Sequence, residues 1–143
     1  MADRGAAWLG QEFIAAWNAH DIDRIAALYA PDFDGTDVGD ATPQHGPDSA
    51  RRSAEQYVRA FPDLRLTVDD LVLDGNRLVL LWTACGTHQE TVMHIPPTHR
   101  TVQVRGACLL VVEGEQIRRA VHIWDVAAML RGLGLLPELH VSS

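Results

Sequence analysis

The stretch RLVLLWTACG, residues 77–86, decides the fold class. It is almost wholly apolar, and it follows the turn signal Asp74-Gly75-Asn76. A run of this length and composition predicts a β-strand that is buried on both faces. The turn before it predicts an antiparallel partner over residues 64–73.

The C-terminal side continues as strands. Two further apolar runs are separated by a tight turn, and a short amphipathic segment follows them. The elements predicted there are a connection over 87–100 that contains Pro96-Pro97, a strand over 101–112, a turn at 113–115, a strand over 116–124, and a helix over 126–131 that Asp125 caps.

The N-terminal side has helical periodicity, with apolar residues recurring three or four positions apart. The elements predicted there are a helix over 6–18, a helix that Asp21 caps and Pro31 ends with Leu28 and Tyr29 on its apolar side, a strand over 33–37, a loop over 38–47, and a helix that starts at Pro47 and that Pro62 stops. Helices followed by antiparallel strands predict a single α+β domain over residues 1–143.

Several of these strands are apolar on both faces. One face of the sheet must pack on the helices, and the other must be shielded from water by another packing partner. A second copy of the chain is the simplest cover, so we expect a homodimer.

Composition and charge exclude several classes of protein. The 143 residues are 47% hydrophobic and 22% charged, which is typical of a globular domain. No apolar run approaches the length of a membrane span, and no signal peptide is evident, so we expect a cytoplasmic protein. The net charge is −7 and the basic residues form no stripe, which argues against nucleic-acid binding. The chain has no lysine, so only its N-terminus could form a Schiff base.

The cysteines and histidines indicate neither a metal site nor a cofactor. Cys85 and Cys108 lie in apolar runs; a disulfide is conceivable if their strands are neighbours, but buried free thiols fit better. The seven histidines are spread along the chain without metal-ligand spacing.

Several motifs together resemble a known family. AAWNAHD (15–21) and ALYAPDF (27–33) resemble the opening of the nuclear transport factor two-like α+β cones. WTACGTH (82–88), IPPT (95–98) and WD (124–125) followed by LRGLGLLP (130–137) resemble the SnoaL-like polyketide cyclases of that superfamily. The resemblance covers nearly the whole chain. It implies a cone-shaped, curved antiparallel sheet wrapped around the N-terminal helices, with an apolar pocket inside that takes a hydrophobic, polyketide-like small molecule.

The resemblance also implies ring closure without metal or cofactor, with an aspartate on the last strand as acid and base. The residue aligned with that aspartate here is His122, and Cys108 stands where a partner histidine is expected. Strand alternation puts His122 on one face with Trp124. Burial beside an aromatic ring would lower the pKa of the imidazole, which suits a base near neutral pH. The alternative is a core histidine with one backbone hydrogen bond.

Asp37 is the second candidate catalytic residue. It shares a strand face with Phe33 and Gly35, so its carboxylate would point where a bulky apolar group does. An apolar pocket would raise the pKa of this carboxyl and make it a usable base. The alternative is a solvated turn residue beside Asp40.

Other residues are candidates for binding the substrate. His88 would donate a hydrogen bond to a substrate oxygen, or would organise the 87–100 connection instead. Met93 would form part of a pocket lip. The full set of candidate substrate-binding residues is His88, Trp82, Trp124, Trp17, Met93 and Cys108.

The sequence thus predicts a cyclase that closes a ring in a polyketide by acid/base catalysis with His122 and Asp37. Some relatives are cofactor-free hydroxylases, so a cofactor-independent monooxygenase acting on an aromatic polyketide is one alternative. A cone that binds a small ligand without catalysis is the other.

Overall fold

The computed structural model describes residues 5–139. The elements, in chain order, are α1 (Gly5–Asn18), α2 (Ile22–Ala26), β1 (Tyr29–Asp37), β2 (Gln44–His45), α3 (Gly46–Ala60), β3 (Arg65–Asp74), β4 (Arg77–Thr87), β5 (Thr101–Glu113), β6 (Gln116–Trp124) and α4 (Val126–Gly132). No helix among the described residues is long and apolar enough to cross a membrane.

The six strands form one curved sheet in the order β2-β1-β6-β5-β4-β3. The long meander from β3 to β6 is antiparallel, as expected from its tight turns. β1 joins this meander by pairing with β6 in parallel, and β2 then pairs with β1 antiparallel. The sheet is therefore open, with β2 and β3 at its edges, and the predicted α+β class is confirmed.

The boundaries around Pro31 differ from the prediction. α2 has only five residues, and Tyr29 begins β1 instead of ending a helix. The backbone N–H of Ile117 donates to the carbonyl of Leu28 at 2.7 Å, which draws the chain into the sheet. Pro31 is tolerated inside the strand because the pairing of β1 with β6 is irregular between Tyr29 and Asp34.

One further prediction was wrong, and one is not tested by a single chain. The segment 38–47 is not all loop, because Gln44 and His45 form the short strand β2 against β1. Within the single chain β4 is buried on one face: Leu80 on the inner face is fully buried, whereas Leu81 on the outer face, where a second copy is the expected cover, is 40% exposed.

The core has two parts, and both lie against the inner face of the sheet. In the first, α1 packs its buried side chains, such as Leu9 and Phe13, onto β3, β4 and β5. The second gathers the end of α3, the 87–100 connection and α4 around Val102. Trp82 packs against both parts, so the space between them is bounded by strands and helices together.

The end of α1 is anchored to the edge strand by one side chain. The amide of Asn18 donates to the carbonyl of Leu66 at 2.9 Å and accepts from the N–H of Leu66 at 2.7 Å. One residue therefore satisfies both backbone groups of an edge position and fixes where α1 ends over the sheet.

We expect Asn18→Ala to lower the free energy of unfolding by about 1–3 kcal/mol, because it leaves two partly buried backbone groups without partners. Urea denaturation followed by circular dichroism measures this. Gln11→Ala, an exposed position on the same helix, serves as the control and should change stability little. An equal midpoint for both variants would contradict the anchoring role.

Candidate active site

A largely apolar cavity of about 130 Å³ lies between the two parts of the core. This is the scale of a cavity that holds one small aromatic ring. Its lining residues come from α1, α3, α4 and the inner face of the sheet: Phe13, Trp17, Tyr29, Asp37, Gln44, Ala50, Ser53, Tyr57, Phe61, Leu64, Leu66, Trp82, Ala84, Cys85, Gly86, Val102, Val104, His122, Trp124 and Met129.

The parallel pairing of β1 and β6 brings both predicted catalytic residues to this cavity. Asp37 and His122 are directly opposite each other in the ladder, and the N–H of Val38 donates to the carbonyl of His122 at 3.1 Å. Phe13 on α1 stacks on the imidazole, with ring centroids 6.4 Å apart and planes inclined by 16°. The stacked phenyl and imidazole rings therefore both form part of the cavity wall.

Burial lowers the pKa of His122, and the nearby charge of Asp37 opposes this by raising it. Removal from water disfavours the charged form of an imidazole. The net direction is downward, so His122 is neutral near neutral pH and has a ring nitrogen available to accept a proton.

The carboxylate of Asp37 is held in place by two hydrogen bonds to one of its oxygens. Its Oδ1 accepts hydrogen bonds from Trp124 Nε1 at 2.8 Å and from the N–H of Gly39 at 2.7 Å. Within residues 5–139 no hydrogen bond reaches Oδ2. Asp37 also begins the turn, because its carbonyl accepts from the N–H of Asp40 at 3.0 Å. Asp37 therefore begins the turn with its backbone and lines the cavity with its carboxylate.

The positions of Trp82 and Trp124 on the sheet are possible only because glycines lie next to their indole rings. Trp82, Gly106 and Trp124 occupy one cross-strand row. A Cβ at Gly106 would lie 2.4 Å from the indole of Trp82 and 2.7 Å from Cβ of Trp124, and a Cβ at Gly39 would lie 2.6 Å from the indole of Trp124. These glycines leave room for Trp124 to reach Asp37.

Trp17 lines the cavity from the helical side and contacts Phe13 at 6.3 Å between ring centroids. Its indole N–H is buried and has no hydrogen-bond partner. Buried donors almost always have partners in native proteins, so this exception needs an explanation.

His88 and Cys108 do not line the cavity. His88 is fully buried, and its Nδ1 accepts from the N–H of Thr98 at 3.1 Å while its backbone pairs with Arg100 and His99. It therefore organises the 87–100 connection. Cys108 is also fully buried, opposite His122 on β5, and burial raises the pKa of its thiol to about 12. Cys85 and Cys108 are both free thiols, as expected, but the expected burial is wrong for Cys85, which lies exposed on β4.

Met93 borders a second, more polar space, which we call the outer cleft. The cleft has a volume of about 650 Å³ and shares Asp37, Gln44, Ser53 and Tyr57 with the cavity. Within the described residues, no three His, Cys, Asp or Glu side chains are grouped to hold a metal ion.

Two phenols, Tyr29 and Tyr57, are among the lining residues that the sequence analysis does not single out. The sequence predicts Tyr29 on the apolar side of a helix and places Tyr57 in the helix that starts at Pro47. Burial raises the pKa of both phenols well above the ordinary tyrosine value, and the charge of Asp37 adds to this. The ring of Tyr57 stands perpendicular to that of Trp124, at 6.2 Å between centroids. The signal available in the sequence was a polar group at a core position, a hydroxyl that needs a partner when buried.

Comparisons with known proteins agree with this architecture. The model of the SnoaL-like polyketide cyclase family matches residues 9–133. AclR, a proposed hydroxylase from Streptomyces galilaeus, is 25% identical over 94% of this chain and 87% of its own, with a TM-score of 0.83. IdmH, a proposed polyketide cyclase from Streptomyces antibioticus, is 27% identical over 90% of this chain and 97% of its own, with a TM-score of 0.77.

TsrD from Streptomyces laurentii, at 24% identity over 95% of this chain and all of its own, shares the fold with a TM-score of 0.83. A comparison with curated proteins finds no match. Since the family model spans both catalytic candidates and the whole sheet, the chain belongs to the SnoaL-like polyketide cyclase family.

Proposed function

We propose that this protein closes a ring in a polyketide-like substrate by acid/base catalysis without a cofactor. The observation that supports this best is that His122 and Asp37 are neighbours across two paired strands and both line an apolar cavity. The cavity combines one neutral base with aromatic surfaces, which suits a flat, apolar molecule that carries carbonyl groups.

The proposed step needs no co-reactant. His122 takes a proton from a carbon flanked by carbonyls, and the resulting enolate carbon attacks a second carbonyl of the same molecule. A carbon–carbon bond forms, the second carbonyl becomes an alkoxide, and the imidazolium returns the proton to that oxygen. The product is an isomer of the substrate. Folding the chain so that its reacting carbons touch could contribute up to about 7–11 kcal/mol.

Asp37 and Trp17 have supporting roles in this proposal. The carboxylate of Asp37 stabilises the imidazolium that forms on His122, since its charge already favours the protonated form. The unpaired indole N–H of Trp17 would bind a substrate oxygen, which explains a buried donor with no protein partner.

We expect His122→Gln to slow proton abstraction about 10²–10⁴-fold, the usual contribution of a positioned base. Deuterium exchange into the α-position of phenylacetone, a one-ring ketone that matches the cavity, measures this by NMR in D₂O without knowledge of the natural substrate. The wild-type rate should fall towards acid pH through a pKa below 6.5, the ordinary histidine value. His99→Gln, an exposed histidine on the 87–100 connection, is the control. Wild-type rates in His122→Gln would contradict the assignment.

We expect Asp37→Asn to lower the pKa of His122 further, because it removes the charge that opposes the effect of burial. Titration of the imidazole proton resonances by NMR measures this, with His122 assigned from its absence in His122→Gln. Asp34→Asn is the matched control on the outer face of the same strand. Asp34 is hydrogen-bonded to His45, so its replacement should leave the titration of His122 unchanged. An unchanged or raised pKa of His122 in Asp37→Asn would overturn the proposed coupling.

A second candidate function is a cofactor-independent hydroxylase. The observation that favours it is the similarity to AclR, which covers 94% of this chain. A hydroxylase consumes one molecule of oxygen in each turnover and a cyclase consumes none, so oxygen uptake with an aromatic polyketide separates the two. Ligand binding with neither exchange nor oxygen uptake would favour a cone that only binds its ligand.

We also propose that the protein is a homodimer that assembles through the outer face of the sheet. Two apolar cross-strand rows lie side by side there: Leu81, Ala107 and Ile123, and next to them Val79, Leu109 and Val121. Ile123 is 58% exposed at the end of its row. A continuous apolar patch of this kind can pair with its own copy around a two-fold axis. The two free thiols fit a reducing compartment, which supports a cytoplasmic location.

We expect Ile123→Lys to convert the dimer to a 15.8 kDa monomer, because a buried unpaired charge is costly at an interface. Size-exclusion chromatography with light scattering measures the mass. Val38→Lys replaces an equally exposed apolar residue in the turn after β1 and should leave the dimer intact. A monomeric wild-type protein would contradict the proposal.

A further inference from the structure

Tyr29 places a hydroxyl in the cavity without a protein partner. The side chain is only 5% exposed and lines the cavity wall. Its ring is held edge-on against Phe33, with centroids 4.6 Å apart and planes at 71°. Within the described residues nothing hydrogen-bonds to the phenol oxygen. A fixed donor in an apolar space is a place for an acceptor atom of a ligand.

Tyr29 on β1 and His122 on β6 line the same cavity. The cavity has room for about one small ring, so a ligand that fills it and touches His122 lies within reach of the hydroxyl of Tyr29. Burial raises the pKa of the phenol, which stays protonated and remains a donor at neutral pH.

We infer that the hydroxyl of Tyr29 donates a hydrogen bond to the substrate oxygen that becomes negative when His122 removes a proton. The inference rests on the proposed function and adds the group that stabilises the enolate. Asp37 cannot do this, since a carboxylate only accepts. Tyr57 is less suited because it also borders the outer cleft, where water competes. A preorganised donor in a site that excludes water is an effective stabiliser of developing negative charge.

The ionisation of bound 4-nitrophenol tests this without the natural substrate. Its ring matches the cavity, its phenolate oxygen imitates an enolate, and its absorption spectrum separates phenol from phenolate. At a pH below the ligand's own pKa, we expect the wild-type protein to bind it largely as phenolate, with the proton on His122. Tyr29→Phe, which keeps the ring and deletes the hydroxyl, should lower the ratio of bound phenolate to phenol about tenfold to a hundredfold.

Thr36→Val is the matched control, because it deletes an exposed hydroxyl from the outer face of the same strand. It should leave the ratio unchanged. If Tyr29→Phe binds 4-nitrophenol with the wild-type ratio while His122→Gln abolishes ionisation, the inference about Tyr29 is wrong and the base role of His122 stands. If the wild-type protein does not bind 4-nitrophenol, or binds it only as the neutral phenol, both proposals are overturned.

Discussion

The parallel pairing of β1 with β6 is the constraint on which the rest of the site depends. It joins a strand from the helical half of the chain to the last strand of the meander, and it sets Asp37 opposite His122. Two backbone hydrogen bonds mark its ends, one from Ile117 to Leu28 and one from Val38 to His122. A slip of one residue would turn the carboxylate to the outer face of the sheet. The irregularity around Pro31 lies at the opposite end of the strand from Asp37.

The chemistry of the site follows from removing a few polar groups from water together. Burial alone would make His122 a poor proton acceptor, because it destabilises the imidazolium. Asp37 restores part of that stability, and its own orientation is fixed by Trp124 and Gly39. The same burial keeps the phenols protonated, so the cavity presents a neutral base and neutral donors at the same pH. The base and the phenol donors therefore depend on the same exclusion of water from the cavity.

The sequence predicted most of the fold because local patterns determine most of it. The tight turns at 74–76 and 113–115 and the apolar periodicity of α1 suffice for the meander and for the helix that packs on it. Strand alternation also predicted that His122 and Trp124 share a face. The predictions that were wrong concern strands whose pairing joins distant segments. β2 forms because it pairs with the free edge of β1, and Tyr29 belongs to β1 and not to a helix because β6 supplies its backbone hydrogen-bond partners. The placement of His88 away from the cavity depends on its bonds to Thr98, which no spacing encodes.

The substitution of a histidine where the family resemblance implies an aspartate changes the charge balance of the reaction. A carboxylate base becomes neutral when it takes a proton, so the enolate is left without a counter-charge. A neutral imidazole becomes a cation, so proton transfer creates an attractive pair inside a medium of low dielectric constant. With imidazole as the base, the enzyme–substrate complex carries less charge near the reacting carbon than it would with a carboxylate base. The attraction between imidazolium and enolate arises only as the proton moves, so it stabilises the transition state and not the ground state. Asp37 on the neighbouring strand keeps a negative charge beside the ring, so the imidazolium has a partner before the enolate reaches it. On this argument the histidine can replace the acid/base role of the aspartate, provided that Asp37 stays beside it.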